Sequence, residues 1–130
     1  MIVVDSSVWI EVHRRPSSPN AAVLRSLLDA DEVALPLIVR LELIAGFSRR
    51  NRSALLRGLS GLPLLYPSDQ TWMLLHDWLP QAADRGHRFT LPDWIIAALT
   101  HEVGGLVWSL DVDFAEMERL KFVQRYEPRV

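Results

Sequence analysis

The chain has 130 residues, a formal net charge of −2 and no cysteine. The absence of thiols excludes disulfide bonds and thiolate metal sites, and the acidic balance excludes a generally basic nucleic-acid-binding surface. The apolar runs are far shorter than the ~20 residues of a membrane span, and the N-terminus lacks a signal-peptide pattern. We therefore expect a cytoplasmic protein with no membrane segment, folded as one domain over residues 1–130.

Short β-branched runs alternate with helical patterns along the whole chain. In the first half, strands are predicted at 2–4 and 33–36, and helices at 8–12, 20–28, 37–47 and 49–59. In the second half, we predict strands at 64–67, 106–110 and 122–123, and helices at 72–85 (with a kink or break at Pro80), 90–103 and 111–119. Strands that alternate with helices indicate an α/β fold with a mostly parallel sheet.

Carboxylates follow two of the predicted strands directly. Asp5 ends the first strand, and Asp111 and Asp113 come immediately after the strand that begins at residue 106. Ligand sites of open parallel sheets lie at the carboxyl ends of the strands, near the point where the strand order reverses. Asp93, in the first turn of a helix, is a candidate for the same crevice. The pattern therefore predicts one shared acidic site.

Glu42 lies in the middle of the predicted helix 37–47, which is apolar on nearly all sides. A helix of this kind is usually buried, and glutamate is almost never buried without a partner. We therefore expect Glu42 to point into a cleft, to pair with a cation, or to lie at an end of the core. The apolar surface of this helix also suggests an oligomer or partner contact.

Each acidic residue also has an ordinary structural interpretation, and these interpretations stay open. Asp5 and Asp93 are placed to cap helices, Asp111 to form a turn, Asp113 to cap a helix together with Glu116, and Glu42 to pair with an arginine such as Arg57 or Arg85. Each of them is reasonable alone. That all of them hold at once is less expected than one common site.

A cluster of carboxylates favours a hard divalent cation. Two unit charges about 5 Å apart repel by roughly 3 kcal/mol at an effective dielectric constant of about 20. Such a cluster takes up protons or binds a cation, and oxygen ligands select Mg²⁺, Mn²⁺ or Ca²⁺. The four histidines include no pair at zinc-binding spacing, so a zinc site is poorly supported.

Four segments resemble, in order and spacing, the motifs of the PIN-domain family. They are Val4-Asp5-Ser6-Ser7, Arg40-Leu41-Glu42-Leu43, Leu91-Pro92-Asp93-Trp94-Ile95-Ile96-Ala97-Ala98 and Ser109-Leu110-Asp111-Val112-Asp113-Phe114. The resemblance spans nearly the whole chain, and the compact size is similar to that of VapC-type toxins of bacterial toxin–antitoxin pairs. Two positions depart modestly from the family pattern: Trp94 is bulky and could narrow the pocket or serve a dimer surface, and Ser109 replaces the usual threonine.

The resemblance implies an α/β/α sandwich that acts as a Mg²⁺- or Mn²⁺-dependent endoribonuclease and forms a homodimer. It also implies a small antitoxin partner that blocks the acidic site, often with an inserted basic side chain. The implied catalytic positions are Asp5, Glu42, Asp93 and Asp111, with Asp5, Asp93 and Asp111 as metal ligands and Asp113 and Ser7 as auxiliary residues. Glu42 would act through water or would deprotonate the nucleophile.

Three arginines at the start of the helix 49–59 form a second candidate feature. Arg49, Arg50 and Arg52 could bind RNA phosphates, but a solvated helix face is an equally good interpretation. Two rival functions also remain at this point. One is a PIN-like RNA- or protein-binding module without catalysis, and the other is an α/β phosphohydrolase with an acidic site, such as a phosphatase.

Overall fold

The computed structural model describes residues 1–129. The four strands are β1 (Ile2–Val4), β2 (Val33–Pro36), β3 (Leu64–Leu65) and β4 (Leu106–Trp108). The seven helices are α1 (Ser6–Arg14), α2 (Pro19–Asp29), α3 (Leu37–Gly46), α4 (Arg49–Leu59), α5 (Asp69–Asp84), α6 (Leu91–Glu102) and α7 (Val112–Arg119).

The sheet has the strand order β3-β2-β1-β4, and every neighbouring pair is parallel. At its centre, Val3 of β1 lies opposite Ala34 of β2 on one side and Val107 of β4 on the other. The chain therefore builds the sheet outward from β1 through β2 and β3, and then returns to the opposite side of β1 with β4. The predicted parallel α/β sheet is confirmed, and the reversal of strand order falls between β1 and β4.

Helices cover both faces of the sheet, as the alternation of side chains in β1 requires. Ile2 and Val4 belong to a buried cluster that includes Leu24 of α2. Val3, on the opposite face, belongs to a larger cluster that includes Ile96 of α6. The architecture is therefore the expected α/β/α sandwich.

Two predictions for the second half of the chain, the strand at 122–123 and a break at Pro80, are wrong. Phe122 and Val123 form no strand; they are buried in the larger cluster, and the segment after them makes only one isolated bridge, between Val107 and Arg125. Phe122 and Val123 are thus buried by side-chain packing, and backbone pairing with β4 begins only at Gln124, through hydrogen bonds of Gln124 and Tyr126 with Val107. Pro80 does not break α5, because it lies on the exposed face, where water can replace the lost backbone bond.

Helix α3 is less buried than its composition predicts. Only Val39 and Leu43 are buried, whereas 51% of Leu41 is exposed. One stripe of the helix contacts the core, and another stripe is exposed. Among the described helices, none combines the length and the apolar character that crossing a bilayer would demand.

Candidate active site

The acidic site lies where β1 and β4 end side by side. The backbone N–H of Asp5, directly after β1, donates to the carbonyl oxygen of Trp108, the last residue of β4 (2.9 Å). Asp111 follows three residues after Trp108. Because β2 and β4 lie on opposite sides of β1, this is the position at which parallel sheets open a crevice.

Three carboxylates meet closely at this crevice. One oxygen from each of Asp93, Asp111 and Asp113 lies within 4.8 Å of the others. Asp93 reaches the cluster from the first turn of α6, which the Thr90 hydroxyl caps. Asp111 caps α7 by accepting a hydrogen bond from the backbone N–H of Asp113 (2.9 Å). The predicted cap at Asp113 is therefore wrong, because Asp111 is the capping residue of α7, and the Asp111 carboxylate joins the cluster as well.

Asp5 is nearly buried and does not cap α1 with its side chain. Its Oδ2 atom accepts two hydrogen bonds, from the Ser7 hydroxyl (2.7 Å) and the Ser109 hydroxyl (2.8 Å). Each hydroxyl also accepts a backbone N–H, Ser7 from Leu110 and Ser109 from Asp111, both at 3.0 Å. Two serines separated by about a hundred residues in sequence thus join the loops after β1 and β4 and fix the orientation of Asp5.

Removal of the Ser109 hydroxyl should therefore disturb the site without unfolding the protein. If the site cuts RNA with the help of a divalent cation, as the resemblance to PIN domains implies, Ser109→Ala should lower the RNA-cleavage rate about 10- to 100-fold, the usual effect of losing a residue that orients a metal ligand. Ser109→Thr, which retains the hydroxyl, should recover most of the rate. The measurements are kcat as a function of Mg²⁺ concentration and the melting temperature.

Ser53→Ala is the matched control, because Ser53 is an exposed serine of α4. It should leave both quantities at wild-type values. Full activity of Ser109→Ala at every Mg²⁺ concentration would show that the hydroxyl does not position Asp5.

Glu42 faces the same crevice from α3. Among the described residues, its buried Oε1 atom has no hydrogen-bond partner. No ion pair within the same residues joins Glu42 to Arg57 or Arg85. Burial raises the pKa of Glu42, the charges of Asp5 and Asp93 raise it further, and the Ser6 hydroxyl opposes the shift. The arginine-pairing interpretation of Glu42 is therefore wrong.

The pKa of Asp93 shows how the acids influence one another. Burial is the largest cause that raises this pKa to about 6, followed by the charge of Asp111 and, more weakly, those of Asp5 and Asp113, while a hydrogen bond with Thr90 lowers it. Burial and Asp111 also raise the pKa of Asp113. The three clustered aspartates, Asp5 and Glu42 thus share one negatively charged hollow, although Asp5 and Glu42 lie outside the tight cluster.

The residues of the hollow fit a hard divalent cation. All donors are carboxylate oxygens, one of them buried without a partner, and the mutual repulsion that raises their pKa values is what a cation would relieve. Within residues 1–129, this is the only group of three or more candidate ligands that lie this close together, and no histidine belongs to it. The donor set therefore matches Mg²⁺ or Mn²⁺ better than Zn²⁺.

Comparison with known proteins agrees with this geometry. The family model of the PIN domain matches residues 2–120. The chain belongs to the PIN-domain family. It is 30% identical over 129 residues to a VapC ribonuclease of Mycobacterium bovis, a match that covers 95% of this chain and 96% of the relative. Ribonuclease VapC11 of Mycobacterium tuberculosis is similar to the same extent.

Solved structures show the same fold at low sequence identity. VapBC2 of Rickettsia felis, bound to a promoter DNA fragment, superposes with a TM-score of 0.82 at 16% identity, covering 99% of this chain and 100% of that one. The DNA-bound VapBC of Salmonella typhimurium gives a TM-score of 0.78 at 21% identity, with 96% of each chain covered. These likenesses confirm the PIN-domain fold.

Two residues of this PIN domain have roles that their sequence context did not indicate. Trp94, 2% exposed, packs between Phe89 and Phe122 in the core, so it neither narrows the pocket nor forms a surface. Ser109 was missing from the candidate site residues although it contacts Asp5 directly. The hydroxyl at this motif position was the available signal, but its partner lies at the other end of the chain.

Among the described residues, the predicted basic residues form no ion pair with the carboxylates of the site. Arg49, Arg50 and Arg52 are exposed at the start of α4, and no ion pair engages them within the described part of the chain. They lie beside a mostly apolar groove of about 310 Å³, to which the neighbouring Asn51 contributes. Other residues that line this groove include Trp9, Val12, Leu24, Leu28, Phe47 and Leu55.

Proposed function

We propose that this PIN-domain protein is a Mg²⁺- or Mn²⁺-dependent endoribonuclease and the toxin of a toxin–antitoxin pair, working in the cytoplasm. The observation that carries the proposal is the convergence of carboxylates from β1, α3, α6 and the end of β4 in one hollow. The relatives named VapC ribonucleases, similar along nearly the full chain, support the choice of RNA as substrate.

In this proposal, Asp5, Asp93 and Asp111 hold the metal ion, and Asp113 adds negative charge beside them. The ion, when bound, would activate water and neutralise charge on the phosphodiester. Ser7 and Ser109 keep Asp5 in place through its Oδ2 atom.

Glu42 has the features of a general base or of a residue that orients the attacking water. Its unpartnered Oε1 atom is free to accept a proton, and its raised pKa lies closer to the range in which proton transfer at neutral pH is efficient. The pKa of Asp93 responds to Asp5, Asp111 and Asp113, so protons and the cation compete for the same oxygens.

The apolar groove between α1, α2 and α4 is the surface we assign to the antitoxin. A groove of about 310 Å³ with apolar walls fits one face of an amphipathic helix. Two groove residues, His13 and Arg25, and the nearby Arg49, Arg50 and Arg52 favour a partner segment with acidic flanks. The three arginines remain candidates for RNA phosphate contacts when the partner is absent.

Homodimerisation is supported by a second set of exposed apolar residues. Leu41 of α3 is 51% exposed, Tyr66 60%, Trp72 47% and Met73 66%. Side chains of this kind are usually covered in an assembly when they form a patch. We expect a mass in solution of twice 14.8 kDa by light scattering; a monomer at all concentrations would contradict this part of the proposal.

A cleavage assay tests the whole proposal. We expect internal cleavage of single-stranded RNA with Mg²⁺ or Mn²⁺, none with EDTA, recovery when the ion is restored, and inhibition by the product of a short neighbouring reading frame. A phosphatase substrate such as p-nitrophenyl phosphate serves as the control. Hydrolysis of that substrate without RNA cleavage would favour the phosphohydrolase, and RNA binding without cleavage under any ion would favour the non-catalytic module.

A further inference from the structure

Exposed apolar side chains border the carboxylates. Leu110 and Val112 flank Asp111 directly and are 48% and 76% exposed, and Leu91, two residues before Asp93, is 62% exposed. Single exposed apolar residues are common on protein surfaces. A group of three beside the charged residues of one site is unusual, because it leaves nonpolar surface where a polyanionic substrate would bind.

The backbone holds two of these side chains firmly beside the site. The N–H of Leu110 donates to the Ser7 hydroxyl (3.0 Å), and the same hydroxyl donates to Asp5 (2.7 Å). Val112 is the first residue of α7, whose N-terminus the Asp111 side chain caps. Consecutive Cα atoms lie about 3.8 Å apart, so Leu110 and Val112 cannot move away from Asp111. A nucleotide next to a phosphodiester bound at Asp111 would therefore lie within reach of both side chains.

We propose that Leu110 and Val112, with Leu91 at the edge, form the contact surface for the nucleobase next to the cleaved phosphodiester. The proposal rests on the ribonuclease function proposed above. Base faces are nonpolar, and in unpaired RNA they turn outward and pack on protein side chains, whereas in a duplex they are stacked inside the helix. These residues would thus add a base contact to a site whose carboxylates would reach the phosphate only through a bound cation.

The test is a cycle between protein variants and RNA variants. The probes are a short RNA that the wild-type protein cuts at one position, and the same RNA with an abasic nucleotide beside that position. Leu110→Ser and Val112→Ser should each lower kcat/KM on the intact RNA about tenfold, mainly through KM, because the bound base would cover these apolar side chains and the loss of such a contact has about this effect. On the abasic RNA, the loss should shrink to less than about twofold.

Val103→Ser is the matched control, because Val103 is an exposed valine just beyond the far end of α6. The 12 residues of α6 place it about 18 Å from the end that carries Asp93. It should cut both RNAs at wild-type rates. Melting temperatures close to that of the wild type would confirm that both site variants are folded.

Equal losses on intact and abasic RNA, or no loss on either, would overturn the base-contact role while leaving the ribonuclease function intact. So would variants that weaken only inhibition by the antitoxin, since the apolar side chains would then belong to that interface. The absence of RNA cleavage by the wild-type protein with Mg²⁺ and Mn²⁺ would overturn the ribonuclease function itself, and this inference with it.

Discussion

Replacement of Asp5 with asparagine is expected to lower the RNA-cleavage rate at least about 100-fold, the scale seen when a residue that stabilises charge in the transition state is removed. The amide oxygen of the introduced side chain can still accept the Ser7 and Ser109 hydrogen bonds, so the local geometry should persist. What the variant loses is the negative charge that attracts the cation. The loss should therefore appear in kcat at saturating RNA and in the affinity for Mg²⁺, measured by titration calorimetry.

Asp84→Asn is the matched control for this experiment, because Asp84 is an exposed aspartate at the end of α5. It should cleave RNA at the wild-type rate and bind Mg²⁺ equally well. If Asp5→Asn instead retained wild-type cleavage and Mg²⁺ affinity, Asp5 would have no catalytic role. The acids near β4 would then have to account for the activity without it.

The second large effect is that of Asp93 on the stability of the fold. Its replacement is expected to raise stability although it abolishes activity. The pKa of Asp93 is raised from 3.8 to about 6, so the folded protein binds this proton more tightly than the unfolded chain does. The stability that the protonated form supplies is complete below pH 3.8 and is lost as the pH rises through about 6. For a fully shielded group, a pKa shift of this size changes the free energy of unfolding by about 3 kcal/mol. Because solvent reaches Asp93, we expect a change of about 2 kcal/mol.

Asp93→Asn should therefore stabilise the metal-free protein while abolishing its activity. At pH 7.5 we expect the melting temperature of the variant to exceed that of the wild type by about 5 °C. At pH 4 the difference should nearly vanish, because Asp93 is then protonated in the wild type. Thermal unfolding in EDTA at pH 7.5 and at pH 4 measures the difference in melting temperature between the variant and the wild type.

Added Mg²⁺ provides the complementary measurement. The ion should raise the melting temperature of the wild type, because it neutralises the charges that destabilise the fold, and should raise that of Asp93→Asn much less. Asp84→Asn should behave as the wild type at each pH and ion concentration. A variant less stable than the wild type at pH 7.5 would show that Asp93 is structurally favourable as an anion, contrary to its raised pKa.

The sequence by itself determined the features that depend on neighbouring residues. The run Ile2-Val3-Val4 followed by Asp5 specifies a buried strand with an acid at its end, and Thr90 three residues before Asp93 specifies a capped helix start. Both signals lie within a few residues, and strand burial and helix capping depend on that range. The alternation of such elements was enough to predict a parallel α/β sheet.

Only the tertiary structure decided which distant residues meet. Phe122 and Val123 show why, since an apolar pair is buried equally well in a strand or against side chains, and packing selected the second. The orientation of Glu42 and the pairing of Ser109 with Asp5 likewise follow from how α3 and β4 dock against β1. The local sequence specifies each helix or strand and the polar residues at its ends. The free energy gained by burying apolar surface, summed over the whole chain, decides how these elements pack and therefore which polar residues share a site.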